Sequence, residues 1–362
     1  YENLETNLIF EDDQELDDAV VKLVHMAGKH VSSAFPIVDA SLPGKHRLAV
    51  CYRREITPFG TAFTIRKFRE DPYSIIDLIN LGTLSEEMAS YLWTCLENRA
   101  SLMVLGGTAS GKTTFLNAVA CLIKPGSKII TIEETAELNL PHENWVSLTA
   151  RRSYGLGETL TGEVSLFDLV KTSMRHRPDL IIVGEIRGNE AYTLFQALAT
   201  GHGGMATMHA ENIDSAVKRL IQKPMDIAPA YMPLMNIVAS IQRVHVPQSK
   251  TGEMQAYRRI LSVDEIADYE DYRNIFKWKA AEDVHVPSFK NGIMLPAIAE
   301  RRGFSWQELM DEMKRRENVL HWMRKRNIRS YKAVAGIITE YYSRPKEFYE
   351  REVQADAFAG QS

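Results

Sequence analysis

The sequence predicts an α/β protein: a parallel sheet wrapped by helices, with a small α+β domain in front and a helical region behind. Three observations carry this. From Ser101 onward, short apolar runs alternate with segments of helical period. A glycine-rich loop separates the first apolar run from the helix that follows it. Beyond Arg243 the alternation gives way to a strand-like stretch and then to helices.

Taken in order, residues 14–28 place Leu16, Val20, Leu23, Val24 and Ala27 on one helical face, with Asp12, Asp13 and Glu15 at the start and Gly28 at the stop. Strand-like runs follow at 35–40, 47–55 and 61–68, divided by Pro43-Gly44 and Pro58-Phe59-Gly60. Helical patterns at 73–80 and 84–98 complete a small domain expected to span 1–98. The alternating segment then reads as strand 102–105, helix 112–122, strand 128–132, helix 165–176, strand 180–183 and helix 189–199, a core expected over 99–245. A strand-plus-helical subdomain is expected over 246–352, with helices at 292–301, 305–317, 317–328 and 330–343; Ser305 and Glu308 form a capping box. Residues 353–362 lack an apolar period and are expected to be a flexible tail.

Composition narrows the function classes. Across 362 residues, 45% hydrophobic and 25% charged content is that of a globular protein and excludes wholesale disorder. A formal charge of -4 argues against a dedicated nucleic-acid binder. Cys51, Cys95 and Cys121 are too few and too scattered for a disulfide framework or a four-thiolate zinc site, so neither is expected and the compartment should be reducing. No run is long and apolar enough to span a bilayer. The chain opens on Tyr1 rather than Met, which suggests a natural N-terminus further upstream.

The strongest chemical signal is Gly106-Gly107-Thr108-Ala109-Ser110-Gly111-Lys112-Thr113, followed by Thr114, which fits G-x-x-x-x-G-K-[ST] directly after an apolar strand. Glycines let successive backbone N–H groups turn toward a phosphate, and the next helix adds its positive end. Lys112 is placed to reach the β- and γ-phosphates and Thr113 to bind Mg²⁺. Leu180 to Val183, then Gly184 and Glu185, is an apolar strand ending in a carboxylate, the second strand signature of P-loop enzymes and the expected partner of Mg²⁺. No Asn-Lys-x-Asp base-reading motif occurs, so ATP is expected over GTP. Glu133, Glu134 and Glu137 close another strand, and the segment from Thr200 to His209 carries two histidines around a short strand. Met103, Met205 and Met208 read as core, and the basic side chains Arg315, Arg316, Arg324, Lys325, Arg326 and Arg329 as a solvated face in preference to a docking surface.

In order, these motifs resemble the secretion-superfamily ATPases that power type II and type IV secretion, type IV pili and archaella, whose P-loop core is RecA-like. Pro36 to Pro43 and Phe63 to Phe68 resemble the small domain that precedes the family's motor; Val319 to Met323, Asn327 to Arg329 and Tyr341-Tyr342 resemble its archaeal branch. The resemblance implies Glu137 as the candidate general base, Glu185 as the magnesium-associated acid, and His209 as the γ-phosphate sensor, with His202 matching its Gly-His neighbour. It also implies that Arg54, Arg66 or Arg99 neutralises phosphate charge within or between subunits. The box reads Glu-Glu where Glu-Asp is commoner, which leaves Glu133 and Glu134 ambiguous, and the four-cysteine metal motif of bacterial type II enzymes is absent. A homo-hexameric motor follows, hydrolysing ATP with Mg²⁺ to drive an archaellum, a pilus-like filament or protein secretion. It would be cytoplasmic and docked at the inner face of the membrane on a polytopic platform protein. The rival readings are a nucleic-acid-translocating motor and a nucleotide-gated scaffold with little turnover.

Overall fold

The computed structural model describes residues 5–151, 162–247 and 254–355. Two units separate: one holds residues up to Glu70 together with Thr135–Glu137, the other Asp71–Glu134 and the chain from Leu138 onward.

In the first unit, helix α1 (Asp13–Met26) starts at Asp12, whose carboxylate accepts the Glu15 N–H. Strands β1 (Ile37–Leu42), β2 (His46–Cys51) and β3 (Ala62–Arg66) form an antiparallel sheet. Alternate residues of β1 are buried, as a half-covered strand requires, and Val38, Leu48 and Val50 pack with Val20 and Val24 of α1 into one small core.

The second unit opens with α2 (Ile75–Asn80) and α3 (Glu86–Glu97). Its parallel strands are β4 (Leu102–Leu105), β5 (Ile129–Glu133), β6 (Trp145–Thr149), β7 (Leu180–Val183) and β8 (Gly203–Met208). Between them run α4 (Lys112–Ala120), α5 (Leu166–Ser173) and α6 (Glu190–Ala199); α7 (Ile213–Ile221) leads to β9 (Ile237–Pro247). Strands β10 (Met254–Asp268), β11 (Asp271–Lys279) and β12 (Val284–Pro287) then continue the same sheet antiparallel, giving the order β12-β11-β10-β9-β4-β8-β7-β5-β6. Helices α8 (Met294–Arg302), α9 (Trp306–Lys325) and α10 (Tyr331–Ser343) follow. Met103, Met205 and Met208 are buried, as the sequence implies.

The structure redraws several expected boundaries. The small domain ends at Glu70 and not near residue 98, because α2 and α3 bury apolar side chains on nearly every side, and Ile75, Ile79, Tyr91 and Leu92 belong to the same core as Phe115 of α4 and Leu320 of α9. The strands after Arg243 are not a separate subdomain; they extend the core sheet. The helices expected at 305–317 and 317–328 are one, α9, whose Arg316, Val319 and Leu320 are buried with no break between them. The chain stays helical through Gln354, so the tail expected from 353 begins inside ordered structure; its residues 356–362 lie outside the described set.

The basic C-terminal face is also not simply solvated. Arg316 is buried, bonded to Glu97 of α3 at 2.5 Å and to Glu312 at 3.0 Å, with its guanidinium over the Trp93 ring. Arg324 pairs with Glu86 and Arg329 with Asp77. These cations tie α9 and the segment after it to α2 and α3, which is a second reason those helices belong to the larger unit.

Candidate nucleotide-phosphate site

Strands β4, β5, β7 and β8 run parallel, so their C-terminal ends share one edge of the sheet. There the loop 106–111 leaves β4 and enters α4. Its backbone cannot be built from ordinary residues. Gly111 holds φ +99°, and a Cβ on Gly106 would lie 2.4 Å from the Ile241 carbonyl and 2.5 Å from Ser110 Oγ. Ala109 is also left-handed, at φ 57°.

Lys112 folds back over this loop, its Nζ donating to the carbonyls of Gly106 and Gly107, each at 2.9 Å. Burial pushes its ammonium below the ordinary lysine range, the Glu185 charge works the other way, and Arg187 adds to the lowering. Glu185 lies just past β7 and is only half-buried; its Oε2 accepts from Arg187 Nη2 at 2.6 Å. That bond, helped by Glu134 and Glu190, holds the Arg187 guanidinium above its ordinary value. Glu190 Oε1 in turn accepts the N–H groups of Arg187 and Gly188, fixing the turn that presents the pair.

The ambiguous acids separate by burial. Glu133 is buried and its Oε1 accepts the Leu138 N–H at 3.0 Å, so it closes the acidic turn rather than facing a ligand. Glu134 is exposed. Glu137, in the first unit, takes Arg66 Nη1 at 3.1 Å. Arg54, in that unit too, is exposed and pairs with Asp13.

His209 directly follows β8, whose Met208 is in register with Leu105, so it stands at the phosphate-loop edge; its carbonyl accepts from Arg219. His202 is at the other end of the same strand, its Nδ1 3.2 Å from the Ala197 carbonyl at the end of α6. Arg99, three residues before β4, also lies at that opposite edge, where it pairs with Asp179 at 2.8 Å. The six-residue β8 spans roughly 20 Å. Within one chain, then, neither His202 nor Arg99 is brought to the loop.

Sequence reasoning passed over Arg187 as a site residue, although it stands two places after Glu185. It also missed Arg258, a β10 residue whose Nη2 lies 3.3 Å from the Ala109 carbonyl. The first had a local signal in its spacing; the second had none, since 149 residues separate it from its partner.

The donor set fits a magnesium-bound polyphosphate. Ser110 Oγ is buried at the loop with no hydrogen-bond partner. Thr113 in the first turn of α4 and Glu185 just past β7 are a hydroxyl and a carboxylate of the kind that Mg²⁺ takes alongside phosphate oxygens. Among the described residues no group of three or more His, Cys, Asp or Glu side chains is placed to hold a metal by itself, and no helix is long and apolar enough to cross a membrane.

Residues 1–273 match the family described as Type II/IV secretion system protein. An uncharacterized protein of Methanocaldococcus jannaschii is 38% identical over 353 residues, 95% of this chain and 62% of that protein, so the chain spans less than two thirds of this relative. The probable conjugal transfer protein TrbB of Sinorhizobium fredii is 30% identical over 264 residues, 70% of this chain and 77% of TrbB. Among solved structures, the Legionella pneumophila ATPase DotB aligns over 92% of this chain and 86% of its own at 15% identity and a TM-score of 0.47. On the two sequence matches, to the family and to TrbB, the chain belongs to the type II/IV secretion system protein family.

Proposed function

We propose that this chain hydrolyses ATP with Mg²⁺ as the motor subunit of a hexameric ring, at the cytoplasmic face of a membrane, driving an archaellum, a type IV pilus-like filament or a secretion machine through a polytopic platform protein. The observation that carries the hydrolytic reading is that Lys112, folded over the loop 106–111, and Glu185, paired with Arg187, stand at one edge of a parallel sheet. Family membership supports the motor; ring assembly and the filament come from the resemblance in the motifs.

In the reaction, a water oxygen bonds to the γ-phosphorus as the bond from that phosphorus to the β,γ-bridging oxygen breaks, leaving ADP and phosphate. Lys112 exchanges the carbonyls of Gly106 and Gly107 for phosphate oxygens, and the loop N–H groups hold the β-phosphate. Bound through Thr113 and Glu185, Mg²⁺ would neutralise charge on the phosphates. The base that the resemblance in the motifs assigns to the water's proton is Glu137. Its carboxylate is bonded to Arg66 here, so Arg66 can serve a neighbouring subunit's phosphate only by giving up that contact.

Phosphate release per subunit, followed across protein concentration, tests the assembly. Specific activity is expected to rise as the ring forms, and mixed rings of Arg66→Ala and Lys112→Ala subunits to regain activity. Concentration-independent turnover by a demonstrated monomer would overturn the assembly. Failed complementation in verified mixed rings would remove Arg66 from the cross-subunit role.

A further inference from the structure

Strand β10 runs antiparallel to β9, which lies parallel to β4 with Ser240 opposite Leu105. The first half of β10 therefore reaches the edge of the sheet where the phosphate loop sits, two strands away from it. Successive side chains of a strand point to opposite faces. Arg259 is buried on one face, bonded to Asp283 through both Nε and Nη2 at 2.7 Å and to the Leu81 carbonyl through Nη1 at 2.8 Å. This anchorage fixes the strand and turns its neighbour, Arg258, to the other face.

There Arg258 meets the loop from outside. A Cβ on Gly111 would lie 2.7 Å from Arg258 Cδ, so the arginine stem occupies the space a side chain would need, and Nη2 faces the Ala109 carbonyl at 3.3 Å. The Ala109–Ser110 peptide is planar and trans, so its C=O and N–H point to opposite sides. A cation holding the carbonyl outward keeps the Ser110 N–H turned inward, where its partner is now the Gly107 carbonyl. Inward N–H groups are what bind an anion in such a loop. Lys112 must leave its two loop carbonyls when phosphate arrives; Arg258, outside the loop, need not.

We infer that Arg258 is a positioning residue for the nucleotide's β-phosphate, acting through the Ala109 carbonyl and Gly111 to hold the loop in its binding form. The inference rests on the ATP-hydrolysis reading and deepens it by assigning, within one chain, a second cation to the loop. Because the contact exists before the phosphate binds and persists through the reaction, its loss should weaken binding and spare the chemical step.

The test is Arg258→Met, which keeps an apolar stem and removes the charge and the donors, with Arg258→Lys beside it. ADP binding is measured by calorimetry with Mg²⁺, and KM and kcat by phosphate release. Arg258→Met is expected to raise the ADP Kd and the ATP KM about tenfold, with kcat within about twofold and the nucleotide-free melting midpoint unchanged; Arg258→Lys should recover most of the affinity. Wild-type Kd and KM in Arg258→Met would overturn the assignment, as would a loss of kcat at unchanged KM, or weaker binding that tracks a lowered melting midpoint and is not recovered by lysine. Failure of the wild-type protein to bind ADP would overturn the nucleotide reading and this assignment with it.

Discussion

Replacing Glu185 by Gln separates a contact's contribution to stability from its contribution to chemistry. The carboxylate and Arg187 are 2.6 Å apart, but their side chains are 30% and 60% exposed, so solvent screens the pair. A pair of this kind stabilises by about 1 kcal/mol or less, and its loss should move the melting midpoint by only about 2–4 °C. The glutamine keeps the shape and can still accept from Arg187. It loses the charge that acts on Lys112 and that the proposed Mg²⁺ would need. Removing one preorganised electrostatic group from a transition state costs about 3–4 kcal/mol, roughly 10²–10³ in kcat. The assay is single-turnover phosphate release beside calorimetric ADP binding and a thermal melt. The expected pattern is near-native folding, retained ADP affinity and a steep fall in rate. A rate within twofold of wild type, or a fall explained by unfolding, would refute the reasoning.

Other consequences follow from buried groups. Burial works against the charge of Arg316, but the carboxylates of Glu97 and Glu312 and the Tyr342 side chain outweigh it and keep the guanidinium firmly protonated. Arg316→Met removes the buried guanidinium at the joint between α3 and α9 while Glu97 keeps Arg302 and Glu312 keeps Arg315, and should cost about 2 kcal/mol, a few degrees of melting temperature; a shift under about 1 °C would contradict the clamp. Burial lowers His142 and His285 below the ordinary 6.5 although each lies against a backbone carbonyl, that of Ile123 and of Ile260. The unfolded chain then binds protons first on acidification, so stability is complete above pH 6.5 and is lost as pH falls below it toward the folded-state values. The melting midpoint should drop between pH 7 and pH 5.5, and the His142→Gln, His285→Gln double variant should flatten that slope; an unchanged slope would exclude these histidines as its source.

What the sequence reveals is what local physics dictates. The glycines of 106–111 are demanded by the backbone at Gly106 and Gly111, so the loop is legible residue by residue. The alternation after Ser101 is legible because buried parallel strands are uniformly apolar, as β4 and β7 are here. What it hides is set by distant partners. Nothing near α2 and α3 tells which core they join; Arg316 and Leu320, more than 200 residues on, decide that. Charge pattern alone could not show Arg316 buried between carboxylates on two helices. Arg99 lies close to the loop in sequence, but the strand between them carries the two to opposite edges. Arg258 is far in sequence and near in space, because an antiparallel β10 returns to the loop's edge of the sheet.

Loop 106–111 and Lys112 are proposed to form an ATP-hydrolysing site. The most direct measurement is Mg²⁺-dependent phosphate release from ATP by the wild-type protein and by Lys112→Ala, each at a concentration where assembly is complete. Lys112 is the loop's own cation, so its removal should lower turnover by at least about 10³-fold while the variant still folds and assembles. Turnover by Lys112→Ala at the wild-type rate, or no hydrolysis by the assembled wild-type protein, would contradict the account.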